Sequence, residues 1–126
     1  MRALVVLAAV TAAVAAVVTS AYAAVRPAQA QAVHGKTLVA SVNVAASEFK
    51  FVLSKKSAGR GVVIFKVKNV GKLQHDFKIN GRKTKLLSPG KSDTLRVTFL
   101  RKGAYPYSCT VPGHAAAGMK GVFKIS

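Results

Sequence analysis

Acidic residues are almost missing from this chain of 126 residues: Glu48, Asp76 and Asp93 stand against 20 lysines and arginines. The three lie far apart in the sequence. That excludes chemistry built on paired carboxylates, such as glycoside hydrolysis, calcium loops and two-metal carboxylate sites. Cysteine occurs once, at Cys109, which leaves no disulfide within the chain and no cysteine-rich zinc site. Tryptophan is absent and aromatics make up only 7%. Hydrophobic residues nevertheless reach 51%, which excludes a disordered chain. The length suits one domain. Metal binding or catalysis is left to Cys109, three histidines, Met119 and hydroxyl groups.

Arg2 is followed by an uncharged run from Ala3 to Val25, rich in alanine and valine. A basic start, an apolar stretch and small-residue processing sites are the parts of an export signal. Two such sites follow, Ala21-Tyr22-Ala23 and Ala28-Gln29-Ala30, with Pro27 ending any helix before the second. Residues 1–30 are therefore read as a signal cleaved after Ala30, with cleavage after Ala23 as an alternative. An uncleaved anchor over residues 3–25 is the other alternative, because about 20 apolar residues span a bilayer. Every version places the remainder outside the cytoplasm, in the periplasm or on the extracellular face of the envelope. Residues 31–36 read as a flexible polar segment, in which His34 is a solvated residue, the alternative being weak copper binding together with the new terminal amine. Residues 37–126 read as a single domain.

In that domain the hydrophobic period is two rather than 3.6. Leu38, Ala40, Val42 and Val44 alternate with Val39, Ser41 and Asn43. The same alternation holds for Val63, Phe65 and Val67, for Phe77 and Ile79, for Leu95, Val97 and Phe99, and for Phe123 and Ile125. These are expected to be half-buried strands of an antiparallel sheet with lysine and arginine on the wet face. Turn residues separate them at Ala58-Gly59-Arg60-Gly61, Asn69-Val70-Gly71, Asn80-Gly81, Ser88-Pro89-Gly90 and Lys102-Gly103. Punctuation at about 8–12 residues predicts an all-β sandwich of about seven or eight strands. The one helical turn expected is Ala115 to Gly118.

The segment from Cys109 to Met119 carries Cys109, His114 and Met119 in the spacing Cys-x4-His-x4-Met. A thiolate, an imidazole and a thioether suit copper better than magnesium, calcium or manganese. Pro112-Gly113 and Ala117-Gly118 let the chain bend back twice, so that a strand end, a loop and the next strand start face one ion. A second imidazole is needed, and His75 stands 34 residues before Cys109, at the start of the strand expected over Asp76 to Ile79. Two histidines, one cysteine and a weak axial methionine define the electron-transfer copper site. An unpaired thiol outside the cytoplasm is a liability unless it is occupied.

With these residues in place the sequence resembles the cupredoxins, the small blue (type 1) copper proteins. The resemblance runs through Glu48-Phe49-Lys50-Phe51, Asn69 to Phe77, Leu87-Ser88-Pro89-Gly90, Gly103-Ala104-Tyr105 and the loop from Cys109 to Met119. The loop spacing is similar to that of rusticyanin and sulfocyanin, and differs from the plastocyanin and azurin spacings. The resemblance implies a Greek-key β-sandwich that holds one copper per chain and cycles it between Cu(I) and Cu(II). His75, Cys109 and His114 would be the trigonal ligands and Met119 the axial one. It also implies that Asp76 ties the His75 loop to Thr110, and that Gln74 stands where azurin has a glycine.

The function expected is a one-electron carrier of the cell envelope, not an enzyme, since all four ligand positions are taken by protein. The alternative is a protein that binds and delivers copper. Small residues around His114 suggest a docking surface for a redox partner. After Ala30, 18 basic residues face three acids. This points to a solvated face or to an anionic partner, whether an acidic redox protein, a membrane or a cell-wall polymer. Nucleic acid is not expected, and the chain reads as a monomer.

Overall fold

The period of two is realised as nine strands over residues 38–126, the part of the chain that the computed structural model describes. The expected signal, both cleavage sites, the segment 31–36 and His34 lie outside the described residues. The strands are β1 (Val39–Ser47), β2 (Lys50–Leu53), β3 (Ser57–Ala58), β4 (Gly61–Asn69), β5 (Lys78–Ile79), β6 (Arg82–Lys83), β7 (Ser92–Phe99), β8 (Gly103–Ser108) and β9 (Lys120–Ile125). They form two sheets, in the orders β2-β1-β4-β7 and β3-β9-β8-β5-β6. The chain passes repeatedly from one sheet to the other, so the all-β sandwich expected from the sequence is present.

The count exceeds seven or eight because β3 and β6 have two residues each, too short to carry a periodic signal. The expectation of wholly antiparallel pairing needs correction. β1 pairs with β4 in parallel, as Val42 opposite Phe65 shows, and β3 pairs with β9 in parallel. Parallel neighbours need a crossover connection, and the excursion through β2 and β3 before β4 supplies one. The expected strand over Asp76 to Ile79 is reduced to β5, because His75 instead makes an isolated bridge with Leu87.

The predicted faces hold except at Leu38, which precedes β1 and is exposed rather than buried. Val42, Val44, Val63, Phe65, Val67, Leu95, Val97 and Phe99 of the first sheet are buried against Phe77, Ile79, Phe123 and Ile125 of the second. Lys66, Lys68, Lys78, Arg96 and Lys124 point to solvent at the intervening positions. Phe65 sits at the centre. Its ring lies 5.2 Å from Phe77, 5.3 Å from Phe123 and 6.4 Å from Phe99, between centroids. The two sheets are thus joined by aromatic contacts that each contribute beyond their buried area.

Truncation of Phe65 should leave a cavity between the sheets that rigid strands cannot close. Phe65→Ala is expected to lower the unfolding free energy by about 3–5 kcal/mol, measured by urea denaturation. A loss no larger than that of an exposed substitution would show that the core lies elsewhere.

Candidate metal centre

Cys109 directly follows β8 and Met119 directly precedes β9, so two paired strands deliver both to one pole of the sandwich. The Cys109 amide donates to the Met119 carbonyl at 3.1 Å and closes the loop at its neck. Inside the loop, His114 N–H donates to Val111 O at 3.1 Å and Met119 N–H donates to His114 O at 3.0 Å. The helical turn expected over Ala115 to Gly118 is one of a succession of turns, closed by Gly118 N–H on Ala115 O at 3.1 Å. Gly113 and Gly118 adopt φ of +83° and +113°, which side chains disfavour, and they are the two bends the spacing required.

His75 reaches the same pole from the connection between β4 and β5. Its backbone is clamped to Leu87, with His75 N–H to Leu87 O at 3.1 Å and Leu87 N–H to His75 O at 2.8 Å. Buried Asn69 holds the approach to it. Its Nδ2 donates to Leu73 O at 2.7 Å and to Leu87 O at 2.8 Å, and its Oδ1 accepts Gly71 N–H at 2.9 Å.

His75, Cys109 and His114 converge, and one donor atom from each lies within 4.8 Å of the others. His75 Nδ1 is 3.2 Å from His114 Nδ1, and Cys109 Sγ is 3.6 Å from His114 Nδ1. Relative exposure is 0% for His75, 2% for Cys109, 0% for Met119 and 8% for His114, so all four are buried and His114 is the outermost. Met119 belongs to the same buried cluster as Cys109. Two imidazole nitrogens and a sulfur crowded together without an intervening carboxylate fit a soft or borderline cation. Burial pushes the Cys109 thiol up, and the nearby Asp76 charge adds to this. A bound cation in contact with the sulfur favours the thiolate.

Asp76, beside His75, accepts both the amide N–H of Thr110, at 2.6 Å, and the Thr110 hydroxyl. The link that the resemblance implied is therefore made, and it joins the His75 segment to the residue after Cys109. Lys83 Nζ approaches the same carboxylate at 3.8 Å.

Two neighbours of the site were not singled out from the sequence. Glu48 Oε1 accepts the amides of Lys72, at 2.6 Å, and Leu73, at 2.7 Å, and lies 3.2 Å from His75 Nε2. The Leu73 amide, with Lys72 and His75 adding, holds the Glu48 carboxyl at about 2, so it is ionised across the ordinary pH range. Phe49 presents an edge to the His114 ring at 5.2 Å between centroids. The only sequence signal was their place in the Glu48-Phe49-Lys50-Phe51 stretch, which names no contact.

The sequence profile of the family described as copper binding proteins, plastocyanin/azurin family, matches residues 29–126. Among curated proteins, none matches. Among solved structures, dithionite-reduced auracyanin from the photosynthetic bacterium Roseiflexus castenholzii superposes with a TM-score of 0.59 at 24% identity, over 68% of this chain and 96% of that one. Auracyanin A, a "blue" copper protein from the green thermophilic photosynthetic bacterium Chloroflexus aurantiacus, gives 0.58 at 17% identity, over 71% and 100%. A multi-copper oxidase from Pediococcus acidilactici gives 0.55 at 17% identity, over 71% of this chain but 26% of that one. These likenesses establish the sandwich fold.

Removing the Asp76 carboxylate leaves the Thr110 amide and hydroxyl without their partner. Asp76→Ala is expected to destabilise the metal-free protein by about 1–3 kcal/mol, read from urea midpoints. An unchanged midpoint would mean that the two segments are held together by other contacts.

Proposed function

The chain belongs to the plastocyanin/azurin family of copper-binding proteins, and on that premise we propose that it is a one-electron carrier with a mononuclear type 1 copper site. His75, Cys109, His114 and Met119 would hold the copper, the thioether as the weakest donor. The observation that carries this reading is the convergence of three buried donor atoms, from segments 34 residues apart, beside buried Met119.

Copper, when bound, supplies a one-electron couple between Cu(I) and Cu(II). The rest is the work of the chain. Cys109 and the two imidazoles are held by backbone bonds and by the Asp76–Thr110 link, so little has to move when the charge changes. Four protein ligands leave no position for substrate, which favours a carrier over an oxidase. The same burial disfavours a copper-delivery protein, which needs accessible donors for hand-over. His114, the outermost ligand, is ringed by Phe49, Pro112, Ala116 and Ala117, all exposed and apolar. This is the surface at which a redox partner makes contact.

Charge supports an acidic partner. All 17 lysines and arginines of the described residues are exposed, and among them only Lys83 lies within ion-pair distance of a carboxylate. Lys83, Lys78, Ser108 and Lys120 form one row across β6, β5, β8 and β9, at the strand ends next to Cys109 and Met119. Export follows from the signal-like residues 1–30, and a monomer remains the expected form.

Titration with Cu(II) should saturate at one equivalent and give an intense visible band from thiolate-to-copper charge transfer. Cys109→Ser should abolish the band, since a hydroxyl does not replace the thiolate. Met119→Leu should keep it while raising the potential, because loss of a weak donor favours Cu(I). A colourless protein that prefers zinc overturns the assignment.

Electron exchange with an acidic redox protein should slow steeply between 0.01 and 0.1 M salt, as the screening length falls from about 30 to about 10 Å. Ala116→Asp should slow the exchange further and leave the spectrum unchanged. Stopped-flow mixing reads both. A salt-independent rate removes the steering, and an unaffected variant moves the contact away from His114.

A further inference from the structure

We propose that Glu48 is a positioning residue of the metal site: by accepting the Nε2–H of His75, it fixes which ring nitrogen His75 turns to the metal and strengthens that nitrogen as a donor to Cu(II). The inference rests on the type 1 copper reading above.

The His75 ring is fully buried, and its two nitrogens meet different surroundings. Nδ1 faces the cluster, 3.2 Å from His114 Nδ1, and Nε2 faces Glu48 Oε1 at 3.2 Å. A neutral imidazole carries one N–H, and Glu48 Oε1, which accepts from the Lys72 and Leu73 amides, faces Nε2 as an acceptor. The proton therefore belongs on Nε2, which leaves the Nδ1 lone pair pointing at the metal position. A carboxylate behind a ligating histidine fixes its tautomer and raises its basicity.

The carboxylate is itself placed before any metal arrives. Glu48 lies in the two-residue turn between β1 and β2, 27 residues from His75. Its Oε1 is held by the amides of Lys72 and Leu73, in the loop that leads into His75. Gly71 makes this approach feasible. A Cβ there would stand 2.8 Å from Glu48 Oε2 and 2.9 Å from Cδ, closer than such atoms pack. Asn69 pins the other side of the loop through Gly71 N–H and Leu73 O. In a chain with three acids, one is thus committed to a single ligand ring. The Glu48 side chain is 31% exposed, so its long-range field is screened by water and its action is through the hydrogen bond.

Outer partners of this kind change metal affinity by about 10–100-fold when removed. A tenfold loss of Cu(II) affinity with Cu(I) affinity unchanged raises a one-electron potential by about 59 mV. The test uses the full chain. Glu48→Gln removes the charge and keeps the shape, and Gly71→Ala displaces the carboxylate without removing it. Both variants should bind Cu(II) about tenfold more weakly and shift the potential upward, with the visible band retained. The double variant should do no more than the stronger single one, because both break the same contact. In the metal-free wild type, imidazole nitrogen NMR should show His75 protonated at Nε2, and Glu48→Gln should weaken that preference.

A role confined to stability would lower the melting temperature of both variants with Cu(II) affinity, potential and tautomer unchanged, and that result overturns the proposal. So does a wild-type His75 protonated at Nδ1. Absence of a visible band in the wild type would instead sink the copper reading itself, which keeps the two failures apart.

Discussion

The carboxylate of Asp76, bonded to both the amide and the hydroxyl of Thr110, joins the two chain segments from which the metal donors come. One segment carries His75 and the other begins at Cys109. Neither is a regular strand at the point of contact; two residues away the same segments pair as β5 and β8, Lys78 opposite Ser108 and Ile79 opposite Tyr107. A buried carboxylate that accepts from a backbone N–H and a hydroxyl is a strong, directional tie. With the β5–β8 pairing and the bridge from His75 to Leu87, it holds the two donor-bearing segments side by side without any metal.

The rest of the sandwich secures that tie from behind. Phe77, two residues from His75, packs against Phe65 in the opposite sheet, so the segment is anchored in the aromatic core. On the other side, Cys109 and Met119 hang from two strands paired over Gly103 to Ser108, and the neck between them is closed by one backbone bond. The loop inside is stiff for its length because successive turns satisfy its amides. A site built this way is organised in advance, which suits a centre whose charge changes while its shape should not. The acids serve the same end. Glu48 and Asp76 both act at the site, whereas Asp93 accepts from the Lys85 and Thr94 amides. The outer surface is left almost purely basic.

Strand faces and the candidate donor residues were legible in the sequence for different reasons. Alternation such as Val63, Phe65 and Val67 marks a buried face because side chains alternate about a strand, and no tertiary knowledge is needed. Cys109, His114 and Met119 declare themselves by chemical type and by a short spacing. The two-residue strands β3 and β6, the parallel pairing of β1 with β4 and the bridge from His75 to Leu87 left no such trace, because each depends on where a distant segment returns. Asn69 looked like a turn residue, and its amide proved to be the support of the His75 loop.

The composition alone determined that this chain has one thiol, no disulfide, few carboxylates and a strongly basic surface, and its periodicity determined an all-β sandwich. These are properties of local chemistry and of strand geometry. Only the tertiary structure decided that Glu48 lies behind His75, that Gly71 must lack a side chain for it to do so, and that Phe49 edges His114. Each of those contacts joins residues more than twenty positions apart. Sequence separation carries no distance information at that range until the sheets have been paired and packed.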